Sequence, residues 1–128
     1  ISKALEWSYS ARVFRAEEGL QAGLLRSLHE PEALLPAARG LAQEFIDNAS
    51  AVSIAMIRQM MWRMLGAPHP IDAHEVDSAG IAALGKSADA KEGITAFLEK
   101  RKPAFKDRVS KDMPAFFPWW QDRPFRKL

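Results

Sequence analysis

The sequence has 128 residues, of which 48% are apolar, which is enough for one ordinary domain with a core. Its formal net charge of +2 does not by itself indicate a nucleic-acid-binding protein, and no run approaches the roughly 18 apolar residues that a membrane span needs. The absence of cysteine excludes disulfides, thiol nucleophiles and thiolate metal sites, and it is typical of a cytoplasmic protein.

The first quarter of the sequence predicts two short helices. It begins at Ile1, with neither an initiator methionine nor a signal-peptide pattern, so we expect it to start inside a longer protein. The residues whose spacing defines the first helix are Ala4, Leu5, Ser8 and Tyr9. Residues 15–21 predict one or two further turns, which Gly23 ends by allowing a left-handed backbone. Residues 24–28 are apolar and form either a small strand or an extended connector.

Two longer helices follow. Pro31 and Pro36 mark the entry to the first of them, because proline is tolerated near a helix start. Its apolar stripe consists of Leu34, Ala38, Leu41, Ala42, Phe45 and Ile46. Residues 48–50 break the pattern, and Ser50 is a suitable N-cap for the next helix. That helix, over residues 51–65, is apolar around much of its circumference, so we expect it to be buried on more than one side.

The C-terminal part predicts two more helices and a tail. After a break at residues 66–70, residues 71–84 form a weaker amphipathic helix. Residues 87–89 offer caps for a last helix that continues to about Lys102. The tail over residues 103–128 alternates proline with aromatic residues, a composition that disordered segments lack, so we expect it to pack on its own chain or on a neighbour's. These elements predict an all-α fold of about five helices with at most one short strand.

The most specific motif lies in the last predicted helix. A Glu92-Gly93 pair is followed by Phe97, by the Glu-Lys-Arg tripeptide at 99–101 and by Pro103. This pattern resembles the C-terminal helical region of enoyl-CoA hydratase/isomerase proteins of the crotonase superfamily.

Earlier blocks occur in the order that the same family has. Residues 4–14 resemble its helix that ends in a threonine-glycine turn, although Ser10 and Ala11 stand in that turn here. Residues 16–25 are similar to its alanine-rich turn followed by Gly-Leu-Val. The resemblance extends over about residues 4–107, and the tail after Ser110 has no counterpart in it.

The resemblance implies three parts of the chain and a function. Residues 1–30 would end the crotonase core, residues 31–102 would be the C-terminal helical domain, and residues 103–128 would be the tail. The chain would be the C-terminal fragment of an enzyme that acts on acyl-CoA thioesters, in fatty-acid or related acyl-CoA metabolism. It would contribute to oligomerisation, with a homotrimer favoured, and to part of the coenzyme A site.

The family's chemistry implies no catalytic residue in this chain. Crotonase enzymes stabilise an enolate with two backbone N–H groups, and the hydratases use two glutamates to move protons. Those segments lie upstream in family members, and the coenzyme A thioester is a substrate rather than a cofactor. The chain's own carboxylates that could attract attention are interpreted as solvated surface groups. They are Glu17, Glu18, Glu32 and Glu44.

Phe97 and Lys100 are the residues for which the resemblance implies contact with coenzyme A. The family's phenylalanine and lysine in this helix lie near the adenosine end of the ligand. Lys100 can neutralise phosphate charge and Phe97 can cover a purine, and a spacing of three puts both on one helix face. The same periodicity also fits a core role for Phe97 and a solvated Lys100, so both interpretations stay open at this point.

Other sites are disfavoured. His69 and His74 are five apart across a proline-containing break rather than on one helix face, so with Glu75 they do not predict a metal site. The basic residues between 100 and 111 are diluted by aspartates and lack a recognition motif, so no nucleic-acid partner is predicted. Methionines at helical spacing favour a core or a helix–helix interface. The alternative function is therefore a non-catalytic helical association module.

Overall fold

A computed structural model describes residues 1–122 and Pro124, and this part of the chain contains six α-helices and no strand. The helices are α1 (Ser2–Ser10), α2 (Ala16–Gln21), α3 (Pro31–Asn48), α4 (Ala51–Met64), α5 (Pro70–Leu84) and α6 (Ala88–Leu98). The all-helical prediction is confirmed, and residues 24–28 form bends and a connector. In the predicted tail, Arg123 and residues 125–128 lie outside the described part. The described residues group into two compact units, 1–42 and 43–128, and the predicted three-part division stays a prediction.

In the first unit, two left-handed residues end the two short helices. Ala11 has φ 49° and ψ 21°, and its N–H donates to the Trp7 carbonyl at 3.1 Å, which stops α1. Gly23, with φ 75°, follows α2 as the sequence predicts. The turn at Ala11 brings Phe14 back onto Trp7, and the two rings stack with their centroids 4.1 Å apart and an angle of 10° between their planes. The aromatic contact therefore holds the connector between the two helices against α1.

Helix α3 contains one of its two prolines in its interior. Pro31 occupies the first helical position, where its missing N–H costs nothing. Pro36 was expected at the entry as well, but the helix is already formed five residues earlier, so Pro36 lies inside it. An interior proline removes one hydrogen bond to the carbonyl four residues before it, here that of Glu32. The assignment of both prolines to the helix start is therefore wrong for Pro36.

The core of the second unit lies between α4, α5 and α6. Val52, Met56 and Ala96 are buried, with at most 2% of their surface exposed. A Cβ added to Gly80 would lie 3.4 Å from Met56 Cε, so the glycine lets α5 approach α4 closely. No helix in the described part of the chain has the combination of length and apolar character that a bilayer crossing requires.

Helix α4 is buried on one side only. Its outward face carries Ile57, Met61 and Leu65, which are 54%, 70% and 81% exposed in this chain. The expected burial on several sides is therefore wrong for the chain by itself, because the other described helices cover only the Val52 and Met56 side. The sequence shows that α4 is rich in apolar residues, but the composition of one helix does not indicate which other elements pack on it.

Ser50 and Asp89 meet at the start of α4 and α6. Ser50 occupies the predicted N-cap position of α4, yet its side chain makes no cap hydrogen bond. Burial alone would raise the pKa of Asp89, but the Ser50 hydroxyl and the backbone N–H groups of Lys106 and Asp107 hold that pKa below its usual value. Among the described residues Asp89 Oδ2 has no hydrogen-bond donor in good geometry, so Ser50 acts on it as a nearby dipole.

Candidate functional site

The end of α6 carries both residues predicted to contact coenzyme A. The helix starts at Ser87, whose hydroxyl accepts from the Ala90 N–H at 3.0 Å. It ends at Leu98, and the expected continuation to Lys102 is wrong. Lys100 has φ 55°, a left-handed conformation that a helix cannot continue.

The hydrogen bonds after Leu98 form a Schellman motif. The Arg101 N–H donates to the Ala96 carbonyl at 3.0 Å, and the Lys100 N–H donates to the Phe97 carbonyl at 3.2 Å. The left-handed position in this motif is usually a glycine, so without one the sequence contains no stop signal before Pro103. Lysine at this position is the unusual feature of the segment.

Phe97 and Lys100 do not share a helix face, because Lys100 lies beyond the helix. Both side chains are nevertheless exposed at the same end of α6, and Phe97 has 82% of its surface accessible. A core role for Phe97 is therefore excluded within this chain. Ile94 and Leu98 are also exposed, at 64% and 73%, and we call the three apolar residues Ile94, Phe97 and Leu98 the α6 patch.

A bidentate ion pair holds the turn that carries Lys100. Arg101 donates from its two terminal nitrogens to the two oxygens of Glu92, at 2.6 Å and 3.0 Å, and the Ala104 N–H donates to Glu92 Oε1 at 2.7 Å. Arg101, and then the Ala104 N–H, lower the pKa of Glu92 to about 2. The carboxylate is therefore ionised at neutral pH and unsuited to proton transfer there.

Gly93, the second residue of the Glu-Gly pair, lies against the Phe105 ring. A Cβ built on Gly93 would lie 3.6 Å from Phe105 Cε1, so the Phe105 ring packs directly on the helix backbone at this point. The segment after α6 is thus held by the hydrogen bond from Ala104 to Glu92, and its Phe105 ring packs on Gly93. These motif residues position the end of α6, while Phe97 and Lys100 face outward from it.

The first unit contains an ion-pair network that the sequence did not reveal. Glu18 accepts from Trp7 Nε1 at 2.8 Å and from Arg12 Nη1 at 2.9 Å, and Lys3 Nζ lies 3.2 Å from its Oε1. Arg12, and then Trp7, lower the pKa of Glu18 to about 2. Glu18 is therefore a structural group linking α1 to α2 and not the freely solvated carboxylate expected, whereas Glu17 is exposed. Its partners come from another helix, so local periodicity held no signal for the network.

The histidine region has a structural use. His69 precedes α5, and its Nδ1 accepts from the Ile71 N–H at 3.1 Å, so it serves as the helix N-cap. Within residues 1–122, no three His, Asp or Glu side chains converge in a way that could hold a metal ion.

Comparison with known proteins decides the family. The sequence model of the enoyl-CoA hydratase/isomerase family matches residues 1–108 of the 128. The chain belongs to the enoyl-CoA hydratase/isomerase family. The match includes Phe105 of the tail and ends before the tail's other aromatic residues, which start at Phe116.

Relatives within this enoyl-CoA hydratase/isomerase family catalyse more than one reaction, as their names state. The chain is 35% identical over 108 residues to an enoyl-CoA hydratase of Alternaria alternata, covering 84% of this chain and 36% of that protein. It is 33% identical over 102 residues to a methylmalonyl-CoA decarboxylase of Escherichia coli, covering 78% of this chain and 38% of that protein. The chain therefore spans a little over a third of the length of these relatives.

A solved structure has the same fold. The crystal structure of a probable enoyl-CoA hydratase/isomerase from Mycobacterium abscessus superposes with a TM-score of 0.68 at 24% identity. The superposition covers 74% of this chain and 37% of that one. The fold of the matched part of this chain is thus found in that solved structure.

Proposed function

We propose that this chain is the C-terminal helical part of an enoyl-CoA hydratase/isomerase-type enzyme that acts on acyl-CoA thioesters in fatty-acid or related acyl-CoA metabolism. Family membership and the order of the motifs support this proposal. In it, the chain supplies part of the coenzyme A site and part of a subunit interface. The oxyanion donors and catalytic glutamates of the family are not assigned to any residue of this chain.

The observation that carries the coenzyme A role is the left-handed backbone at Lys100. A residue other than glycine in this conformation costs roughly 1–2 kcal/mol, and glycine would relieve the cost. Such backbone outliers concentrate at ligand sites and persist where the surrounding structure holds them, as the Schellman hydrogen bonds and the Glu92–Arg101 pair do here. A lysine at a position that usually holds glycine is therefore a reason to look for a ligand of its ammonium group.

The charge of Lys100 is available for that ligand, unlike that of its neighbours. Arg101 is bound by Glu92 and Glu99, and Lys102 lies 3.5 Å from Asp47. In the described part of the chain, no carboxylate lies within 4.0 Å of the Lys100 ammonium. A cation with no carboxylate partner among the described residues, exposed at the same end of α6 as the Phe97 ring, suits a ligand with a flat apolar part and a phosphate, which is the chemistry of the nucleotide end of coenzyme A.

Coenzyme A binding by calorimetry tests the proposal, in this chain and in the parent protein. Lys100→Gln and Phe97→Ala should each weaken binding about fivefold, the equivalent of about 1 kcal/mol, and Lys91→Gln is the control on the same helix. If Lys100 contacts the 3′-phosphate, replacing coenzyme A with its 3′-dephospho form should narrow the difference in affinity between the Lys100→Gln variant and the unmodified protein. Equal affinities in all three variants would show that the end of α6 does not bind the ligand.

The exposed side of α4 favours the second candidate function, a non-catalytic helical association module. Ile57, Met61 and Leu65 are spaced by four residues and form one continuous outward face. A monomer rarely leaves such a contiguous apolar face in water, and a homo-oligomer with closed symmetry, a trimer by the family resemblance, would cover it.

Sedimentation over a range of concentrations tests the association. Met61→Lys should shift the equilibrium toward monomer, and Ser78→Lys, which adds the same charge on an exposed α5 position, should not. A strictly monomeric chain at high micromolar concentration would contradict the interface. Association without any coenzyme A affinity, in both the chain and the parent protein, would favour the association module over the enzyme part.

A further inference from the structure

Residues 113–122 form a segment of their own beyond the family match. The chain first turns at residues 108–112, where the Arg108 N–H donates to Asp112 Oδ2 at 2.7 Å and the Asp112 N–H donates to the Arg108 carbonyl at 2.8 Å. A second turn follows, with the Phe117 N–H donating to the Pro114 carbonyl at 2.8 Å. We call residues 113–122 the strap.

The strap contains its own aromatic cluster. The Trp119 and Trp120 ring centroids are 4.9 Å apart at 87°, and Phe117 lies 5.9 Å from Trp119 and 5.1 Å from Trp120. All three pairs are edge-to-face, the arrangement that the ring quadrupoles favour. The three rings therefore support one another and can move as a unit.

One arginine of α4 holds this cluster. The Arg63 guanidinium carbon lies 3.5 Å from the Trp120 ring centroid, and its Nη2 lies 3.7 Å from Asp122 Oδ1. Arg63 Nε donates to Gln59 Oε1 at 3.0 Å, which orients the guanidinium, and Trp120 Nε1 donates to Asp122 at 3.0 Å. Among the described residues, every ion pair and cation–π contact between the strap and a helix involves Arg63.

The position of Arg63 on α4 explains why the strap lies there. Val52, Met56, Gln59 and Arg63 follow one another at helical spacing, so they share the side of α4 that faces the core. The first two are buried by other helices, and the strap covers the end of the same side. A pocket of about 620 Å³ lies beside the strap, with Trp62, Asp72 and Trp119 among its lining residues.

We propose that Arg63 is a latch and that the strap opens as one unit about the turn at residues 108–112, which separates Trp119 and Trp120 from the α4 side of this pocket. Two properties of the contact carry the proposal. The ion pair is exposed, since the Asp122 side chain is 87% accessible, and exposed pairs are weak and screened by salt. Among the described residues, the strap's ion-pair and cation–π contacts with a helix all involve Arg63, so loss of this one residue opens the strap locally without unfolding the helices.

Limited trypsin digestion of the full chain tests the latch, with mass spectrometry following the product cleaved after Lys111. Arg63→Met should release this product at least tenfold faster, and the control Arg58→Met, an exposed arginine on the same helix, should leave the rate unchanged. Trp120→Leu removes the same contact from the strap side, where it cannot disturb α4. The cleavage rate of Trp120→Leu should match that of Arg63→Met, and the double variant should be cleaved no faster than either single variant.

The outcomes are distinct. Acceleration in Arg63→Met and Trp120→Leu with unchanged helical circular dichroism, and no addition in the double variant, supports the latch. Unchanged cleavage in Trp120→Leu would overturn it, even if Arg63→Met unfolds. Additive acceleration in the double variant would also overturn it, because the two residues would then act independently.

Discussion

The backbone N–H of Asp89 donates to Asp107 Oδ2 at 3.2 Å, and the backbone N–H of Asp107 donates to Asp89 Oδ1 at 3.1 Å. The same Asp89 oxygen accepts from the Lys106 N–H at 2.6 Å. This reciprocal exchange works as a capping box does, but with partners 18 residues apart. Asp89 lies in the first turn of α6, where a negative charge is also favoured by the helix dipole. The pair therefore joins the beginning of α6 to the segment that follows it.

Replacing the buried carboxylate should destabilise the second unit. Asp89→Asn keeps the size of the side chain but sets an amide beside donors that need a charged acceptor, so we expect a loss of about 2–3 kcal/mol in the free energy of unfolding. Asp77→Asn, on the exposed side of α5, should change it by less than about 0.5 kcal/mol. Urea unfolding gives both values, and a cost in Asp89→Asn as small as the control's would contradict the role of the exchange.

Acid should weaken the turn that carries Lys100. The pKa of Glu92 is lowered from 4.5 to about 2, so its stabilisation is present above pH 4.5 and is lost as the pH falls toward 2. Glu92→Gln should lower the thermal midpoint of unfolding at neutral pH. Between pH 4.5 and 2, the midpoint of this variant should fall less steeply with pH than that of the unmodified chain. Glu75→Gln on α5 should keep the original slope. Some slope should remain in Glu92→Gln, because Glu18 also has a pKa of about 2; an unchanged slope would refute the prediction.

The left-handed residue after α1 offers a matched pair of substitutions. Ala11→Gly removes a methyl group from a backbone at φ 49° and should raise the free energy of unfolding by about 1 kcal/mol. Ala22→Gly removes the same group from a right-handed backbone at φ −81° and should lower it by about 0.5–1 kcal/mol. Denaturant titration distinguishes the signs. The same sign for both would show that chain entropy, rather than the conformation at Ala11, dominates.

Stability and binding should change in opposite directions at Lys100. Lys100→Gly relieves the strained backbone at φ 55° and should stabilise the chain by about 1 kcal/mol. It also removes the ammonium group, so coenzyme A affinity should fall as far as in Lys100→Gln. Unfolding curves and calorimetry on one preparation measure both. If Lys100→Gly is more stable and its coenzyme A affinity is unchanged, the Lys100 side chain does not contribute to coenzyme A binding.

Most of the helical architecture could be predicted from the sequence, because each helix is defined by local spacing. The predicted helices over 51–65 and 71–84 correspond to Ala51–Met64 and Pro70–Leu84. The stop after α2 could be predicted because Gly23 is the residue that a left-handed backbone favours. The stop after α6 could not, since Lys100 adopts that backbone without the usual residue type.

The site was only partly predictable for a related reason. Phe97 and Lys100 were found through a family motif, but their geometry depends on the Glu92–Arg101 pair, whose partners are nine residues apart. The Glu18 network depends on Trp7, which is 11 residues away on another helix. Spacing patterns describe neighbours on one helix, so contacts between a helix and a different element stay outside their reach.

The exchange between Asp89 and Asp107 also bears on the order of folding events. It closes a loop of fewer than 20 residues that contains α6 from Asp89 onward, and the Glu92–Arg101 pair closes a still shorter one inside it. Short loops lose little entropy on closure, and structure built from contacts of low sequence separation forms quickly. The end of α6 can therefore acquire its shape at an early stage of folding, before α4 and α5 have met, and can serve as a nucleus on which the rest of the second unit condenses.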